Sequence, residues 1–406
     1  MSYFFPPAGG PGVQRILKFV KYLPQFGWNP VVLTATPETY LTHDETLVKD
    51  ISKETLVYRV PSLDIERLRP KFDRMKMGKA LSAFNVALML PDATLFWARQ
   101  ARPIARSIIE QHSPALLLSS SPPPSTHRLA LWLHGQFGLP WVTDFRDPWS
   151  TNAQTRYYPG YRAVNRQMER EVLENCEKVI TVSTPISEML QNVSEKSTSR
   201  ISIIENGYDE DDTSVLPPPK TQRFTISYAG IFSRMRRPDP FVAAVKKLID
   251  SRQIPVDSIY IPMAGMNTMD FVPDYPPFKH LGYLRHESLN ELRKESNLLL
   301  LILGDSLASR GNYSGKLFEH LGCNRPTLCI THPDNVAAKL IVRAKAGIVV
   351  RPQPEEISQV ILDSYQIWKS GEYTYSPDWS VIQQYTRKRL TQRLSDIFSQ
   401  VVTEAS

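Results

Sequence analysis

Gly311-Asn-Tyr-Ser-Gly-Lys-Leu-Phe-Glu-His-Leu-Gly-Cys-Asn-Arg-Pro326 is the stretch on which the reading of this 406-residue chain turns. It follows the apolar run Leu298–Leu303, which has the composition of a buried strand and is bounded by Gly304 and Asp305. Ser314 and Gly315 suit a helix start, and Leu317 and Leu321 fall four apart on one face. Gly322 reads as a C′ stop, and Pro326 opens the next strand, Pro326–Ile330. A short helix whose N-terminus is left open after a glycine-containing loop offers free N–H groups and a positive dipole end, which suit an anion. Glu319 lies one turn further in, about 5 Å along the axis. It points away from the Leu317/Leu321 stripe and can accept hydrogen bonds from a diol. A diphosphate at the helix start with a ribose one turn along matches a sugar nucleotide. Glu319 complementing the helix dipole is the other reading, and the stretch alone does not choose.

The same alternation runs outward in both directions. Upstream, Tyr3–Phe5 reads as a first strand, followed by the loop Pro6–Gly12 and a helix over Val13–Phe26. Further strands are expected at Pro30–Thr34, Leu56–Val60, Ala115–Ser119, Trp141–Asp144, Lys178–Val182 and Ile201–Ile204. Helices fall at Leu95–Gln111, Ser125–Phe137, Tyr161–Glu174 and Pro185–Gln191. Asp209–Gln222, acidic and then proline-rich, breaks the pattern as an exposed linker. A second series follows, with strands at Phe224–Ala229, Ser258–Met263, Leu298–Leu303, Pro326–Ile330 and Gly347–Val350. Its helices are Pro240–Arg252, Glu287–Lys294, Gly315–Leu321, Val336–Ala344 and Glu355–Trp368, and a last helix, Trp379–Val402, comes after the sheet is complete. The fold class is α/β, with two doubly wound, Rossmann-like domains whose switch-point crevices face one cleft. The domains are 1–208 and 223–372, with 209–222 as linker and 373–406 as a C-terminal segment.

Composition agrees with two globular domains, since 406 residues exceed one ordinary core and 42% are hydrophobic. A net charge of +7 favours anionic partners. Cys176, Cys323 and Cys329 form neither CxxC nor a metal-ligand spacing, which points to a reducing compartment. With no run of 18 or more apolar residues and no signal peptide, the cytoplasm is expected. Met1–Phe5 is short for a first strand, as if a few residues preceded it. Arg67–Lys79 interleaves six basic residues with Leu68, Phe72, Met75 and Met77 before the apolar Leu81–Leu90. This is either a solvated helix face or a contact with the inner face of an anionic membrane. No zinc, helix-turn-helix or aromatic-platform signature accompanies the charge, so nucleic acid is not expected as a partner.

Four further loops sit at strand C-termini, where α/β folds bind ligands. Gly9-Gly10-Pro11-Gly12 lets backbone approach a ligand or is a tight turn. It is not a dinucleotide fingerprint, because Arg15 stands where a third glycine is wanted. Asp144-Phe-Arg146-Asp147-Pro-Trp149 puts two carboxylates and a guanidinium at the end of a strand, to bind sugar hydroxyls, act as a base or pair with one another. His127 follows Ser121-Pro-Pro-Pro124, with Ser125 as helix cap, and either reaches the crevice or lies on the surface. Gly230-Ile-Phe-Ser-Arg234-Met-Arg236-Arg237 sets three arginines in a strand-to-helix loop, a match for diphosphate oxygens or a solvated basic loop.

Taken together these stretches resemble the family 4 glycosyltransferases, nucleotide-sugar enzymes of the GT-B fold. The resemblance spans nearly the whole chain. It rests on Phe5-Pro6-Pro7 with Gly9–Gly12 and Gln14-Arg15, on Ser121-Pro122-Pro123 with His127, and on Asp144–Trp149 and Val179–Ser183. Asn206-Gly207 with Asp209, Gly230, and Ser314–Glu319 with Gly322 and Pro326 complete it. Asp-Phe-Arg-Asp-Pro-Trp is similar to a bacterial branch that builds surface polysaccharides. The resemblance implies that the second domain binds the donor and the first the acceptor, a saccharide or lipid-linked saccharide. Glu319 then holds the donor ribose, and the amides of Ser314, Gly315 and Lys316 hold the diphosphate with Gly230 and Arg234 or Arg237. Gly9, Gly10 and Gly12 face the cleft, and Asp144, Arg146, Asp147 and His127 lie at the catalytic position. The final helix crosses back to the first domain. Family members are usually retaining and work without bound metal or further cofactor. One departure stands out. The family pairs two glutamates with seven residues between them, and counting back from Glu319 reaches Gly311. Asp305 or Asn312 is the available substitute, and the sugar contact and stereochemical outcome are left open. A sugar-nucleotide epimerase of the same fold, or a donor-binding subunit of a polysaccharide assembly complex, fits the same residues.

Overall fold

The protein is described from a computed structural model covering residues 1–62, 90–152, 160–212, 221–305 and 313–405. The basic stretch Arg67–Lys79, residues 81–89 of the apolar run, residues 213–220 of the linker, and Gly311 and Asn312 lie outside the described residues. The chain divides into two compact units, Met1–Glu205 with Lys388–Ser406, and Asn206–Arg387.

Unit 1 begins with α1 (Pro11–Tyr22), which passes through a 3-10 turn, Leu23–Phe26, into β1 (Val31–Ala35) and β2 (Leu56–Val60). Then come α2 (Leu95–His112), β3 (Leu117–Ser121), α3 (Ser125–Phe137) and β4 (Trp141–Phe145). The series ends with α4 (Tyr161–Asn175), β5 (Lys178–Thr181), α5 (Thr184–Gln191) and β6 (Ile201–Ile203). All strand pairs are parallel, β1 with β2 and β3-β4-β5-β6 in order. Every residue of β4 is buried, as a strand covered on both faces requires.

The first strand expected at Tyr3–Phe5 is absent. Instead Ser2 makes one parallel bridge to Ser120, and its N–H donates to the Leu33 carbonyl at 3.1 Å. Ser120 N–H donates to Met1 and Ala35 N–H to Tyr3. Residues 1–3 therefore lie between β1 and β3 and join the two sets of strands. The chain leaves the sheet at once because Pro6 and Pro7 have no N–H to donate. In spatial order the strands run β2, β1, residues 1–3, β3, β4, β5, β6, so the winding reverses between residues 1–3 and β3.

Unit 2 holds β7 (Phe224–Ala229), α6 (Asp239–Asp250), β8 (Ile259–Ala264), β9 (Phe278–Gly282), α7 (His286–Lys294) and β10 (Leu298–Ile302). They are followed by α8 (Gly315–Gly322), β11 (Thr327–Ile330), α9 (Val336–Arg343), β12 (Gly347–Val350), α10 (Pro354–Ser370) and α11 (Trp379–Ile382). Its sheet is parallel in the order β12-β11-β10-β7-β8-β9, reversing between β7 and β10. Strand β9 had no counterpart in the sequence reading, because Lys279 and His280 interrupt its apolar pattern on the sheet edge. Gly322 is the last helical residue of α8 rather than a stop beyond it. The left-handed residue is Asn324, at φ 51°.

The single final helix expected over Trp379–Val402 is two helices, α11 and α12 (Arg387–Ala405). Thr386 between them is extended and bridges to Tyr208, whose N–H donates to the Tyr385 carbonyl at 3.1 Å. That pairing removes Thr386 from any helix. Along α12, Leu390, Leu394, Phe398 and Val401 are buried in the core of unit 1, with Phe398 edge-on to Trp28 at 5.2 Å.

Candidate functional site

In an open α/β sheet the crevice at the C-terminal ends of the strands where the winding reverses is the natural ligand site. Each unit has one. In unit 1 it is bordered by the loop from Phe5 to α1 and by Ser121–Pro124 after β3. Gly9 N–H donates to the Thr42 carbonyl at 2.8 Å, and Gly10 precedes α1 at φ 97°, a conformation that only glycine adopts readily. The Gly12 carbonyl accepts from Arg146, whose Nε also donates to Ser121 O at 2.9 Å and Nη2 to Pro122 O at 2.7 Å. Arg146 thus neither pairs with a neighbouring carboxylate nor faces solvent. It ties the two loops of the crevice together by their carbonyls.

Asp144 was expected to emerge at the crevice, and the structure corrects this. Its carboxylate is fully buried, taking Arg15 Nε at 3.1 Å and Nη2 at 3.0 Å, with Ser120 Oγ donating at 2.7 Å. Side chains alternate across a strand, and Asp144 falls on the face covered by α1, where Arg15 waits. The residue that spoils the dinucleotide fingerprint is therefore the counter-ion of the strand carboxylate. Asp147, beyond the end of β4, is exposed.

His127 lies neither in an open crevice nor on the surface. It is fully buried, with Nδ1 2.8 Å from Ser119 Oγ, Nε2 2.8 Å from Ser121 Oγ, and its ring 4.4 Å from that of Phe145. Trp141 Nε1 also donates to Ser119 Oγ, which ties the same hydroxyl to the β4 tryptophan. Burial, then the charge of Arg146, pulls the His127 pKa from the usual 6.5 to about 3, so the ring stays neutral. Two residues missed in the sequence support the same loop. Glu169 of α4, fully buried, accepts from the N–H groups of Trp149 and Ser150 at 3.2 and 3.0 Å, and Asn165 accepts from Trp149 Nε1 at 2.7 Å. Both sit inside a helix that reads as a charged surface helix.

In unit 2 the winding reverses between β7 and β10, and the bordering segments are Gly230–Arg237 and the chain entering α8. Ser314 precedes α8 without a side-chain cap. Lys316 turns its amine back over the Tyr228 ring, 4.9 Å from the centroid, into the space above Gly230 that a side chain would fill. Gly265, after β8, lets the two loops touch, since a Cβ there would stand 1.9 Å from Gly230 O. Burial, then the charge of Arg236, brings the Lys316 pKa from 10.5 to about 8. Glu319 opposes the shift, and Arg293 adds to it. Burial raises the Tyr228 hydroxyl and Arg236 partly offsets it.

Of the three loop arginines, Arg236 is the one whose charge reaches Lys316 and Tyr228. Arg237 is spent on Asp239, at 2.8 and 2.9 Å, and Arg234 is exposed. Glu319 is part-exposed and held by Arg293 of α7, a buried arginine for which the sequence showed no signal. Lys316 thus feels the charges of Arg236, Arg293 and Glu319, and with Arg293 holding Glu319 the start of α8 gathers three cations and one carboxylate. Among the described residues no three His, Cys, Asp or Glu side chains are placed to hold a metal ion, and no helix is long and apolar enough to cross a membrane.

Comparison with known proteins adds to this geometry. The family model described as Glycosyltransferase Family 4 matches residues 12–212. No curated protein matches the chain. Among solved structures, a glycosyltransferase from Rickettsia africae is similar at TM-score 0.66 and 14% identity, over 98% of this chain and 97% of that one. The Anabaena protein Alr3699/HepE, solved with UDP and glucose, is similar at TM-score 0.62 and 12% identity, over 98% and 99%. WaaG, a glycosyltransferase involved in lipopolysaccharide biosynthesis, is similar at TM-score 0.58 and 13% identity, over 100% and 98%. Identities this low speak for the fold, which is the two-domain, parallel-sheet GT-B arrangement.

Proposed function

We propose, from the premise that this chain belongs to glycosyltransferase family 4, that it moves a sugar from a nucleoside-diphosphate sugar to a saccharide or lipid-linked saccharide in surface-polysaccharide synthesis. The observation that carries the donor class is the cation excess at the start of α8. There Lys316, Arg236 and Arg293 outnumber the single carboxylate of Glu319. In this proposal Lys316 and Arg236, with the amides of Ser314, Gly315 and Lys316, bind the diphosphate and stabilise it as leaving group. Arg234 adds charge at the rim, and Glu319 accepts from the ribose. UDP and glucose in the Anabaena structure support the same class of ligand. On unit 1, Asp147, exposed just beyond the end of β4, positions or deprotonates the acceptor hydroxyl. Asp144, Arg146 and His127 hold the crevice in shape, and the Gly9–Gly12 loop approaches the substrate. Transfer with retention, without metal or further cofactor, at the cytoplasmic face of a membrane completes the proposal.

A thermal-shift screen over uridine, guanosine, thymidine and adenosine diphosphate sugars tests it. One nucleotide class should raise Tm, by about 2.7 kcal/mol of added stability at a hundredfold excess over Kd. Glu319→Ala should weaken that binding by calorimetry. Unchanged donor affinity in this variant would sink the role given to Glu319.

A further inference from the structure

The side chains of α7 form a line that ends on Glu319. His286 Nε2 lies 3.0 Å from Asp212 Oδ2 and 3.2 Å from Asn290 Nδ2. Asn290 Oδ1 accepts from Arg293 Nη1 at 2.8 Å, and Arg293 Nη2 donates to Glu319 Oε2. The spacings of four and three residues put His286, Asn290 and Arg293 on one helix face. Arg293 is only 3% exposed, and its Nε has no hydrogen-bond partner among the described residues. A buried guanidinium with an unpaired N–H is a poor stabiliser, and an apolar pair of similar volume would hold the fold as well. Its placement has another use. The hydrogen bond to Asn290 fixes the plane of the guanidinium, and the guanidinium takes one oxygen of a carboxylate that is otherwise part-exposed.

Building on the donor-site reading above, we propose that Arg293 is a positioning residue for ribose recognition. It holds Glu319 Oε2 and thereby leaves Oε1 as the one oriented acceptor for a ribose hydroxyl, with Asn290 setting Arg293. Recognition of the ribose then depends on a residue that does not touch it. The same pairing keeps the Glu319 carboxylate from turning toward Lys316, whose amine is left for the diphosphate.

The test is calorimetry with UDP, GDP and ADP and their 2′- and 3′-deoxy counterparts on the full chain. The quantity read is the ratio of ribo to deoxy affinity, because the ratio cancels the loss of positive charge that any Arg293 variant brings. Wild type should prefer the ribo form of its nucleotide roughly tenfold, the worth of one charge-assisted hydrogen bond. Arg293→Gln should bring that ratio to within about twofold, Arg293→Lys should restore part of it, and Arg293→Gln should lower it no further in a Glu319→Ala background. Should Arg293→Gln not fold, Asn290→Ala, which frees the guanidinium plane, should show an intermediate ratio. A ratio unchanged in Arg293→Gln, or in Asn290→Ala, while Glu319→Ala loses it would overturn the role of Arg293 and leave the donor site standing. Binding of none of these nucleotides by wild type would overturn both.

Discussion

Asp144 and Arg15 meet in a place that excludes water, and the consequences differ for the two kinds of work a carboxylate can do. A base must reach a substrate proton, whereas the Asp144 oxygens are already taken by Arg15 and Ser120. Asp144→Ala should therefore act through stability. It strands a buried guanidinium, a loss of roughly 3–5 kcal/mol, read as a lower denaturation midpoint, while nucleoside-diphosphate affinity at unit 2 stays within about twofold. A normal midpoint with lost turnover would return Asp144 to the chemistry. His127 belongs to the same buried group, its two ring nitrogens occupied by Ser119 and Ser121. Both residues stood out in the sequence as chemistry at a strand end. What could not be read was the partner, because Arg15 lies 129 positions away and nothing local links the two.

At the scale of the element, α8 carries the pH behaviour. In the free protein Lys316 loses its proton as pH rises through about 8, where an ordinary lysine would keep it to 10.5. A bound diphosphate favours the charged amine, so binding above pH 8 takes up a proton and weakens by up to about tenfold per pH unit. Calorimetry at pH 7, 8 and 9, in buffers of different ionisation enthalpy, should show that uptake, and Lys316→Met should abolish it. The same shift has the opposite sense for the unliganded fold. Between about 8 and 10.5 the unfolded chain holds the extra proton, so Lys316 adds to stability as pH rises across that window. The helix itself was legible, down to Gly315 and the Leu317/Leu321 stripe, because its signals are local: a start residue, a period, a following strand. Helix α7 was legible only as a helix. Its sequence, His-Glu-Ser-Leu-Asn-Glu-Leu-Arg-Lys, looks like a solvated surface, and only burial of Asn290 and Arg293 reveals the inward polar face.

At the scale of the whole molecule, unit 1 is built from two separated pieces of chain. Leu390, Leu394, Phe398 and Val401 supply four fully or nearly fully buried side chains to its core, each worth about 1.5–3 kcal/mol. Their sum rivals the 5–15 kcal/mol that holds a typical domain together. Ending the chain at Arg387 should therefore cost residues 1–205 their hydrogen-exchange protection while 223–372 keep theirs. Equal protection in both would show that α12 is dispensable. The sequence by itself determined the alternation of strands and helices, two doubly wound halves, the glycine loop before α1 and the anion-ready start of α8. Each of these is written in residues a few positions apart. Only the tertiary structure decided the break at Thr386 and the fate of the charges: Asp144 given to Arg15, Arg146 to three carbonyls, Glu319 to Arg293, and Arg237 to Asp239. A charge takes the partner that folding brings within about 3 Å after water has been removed, and that choice rests on distances between residues the sequence holds far apart.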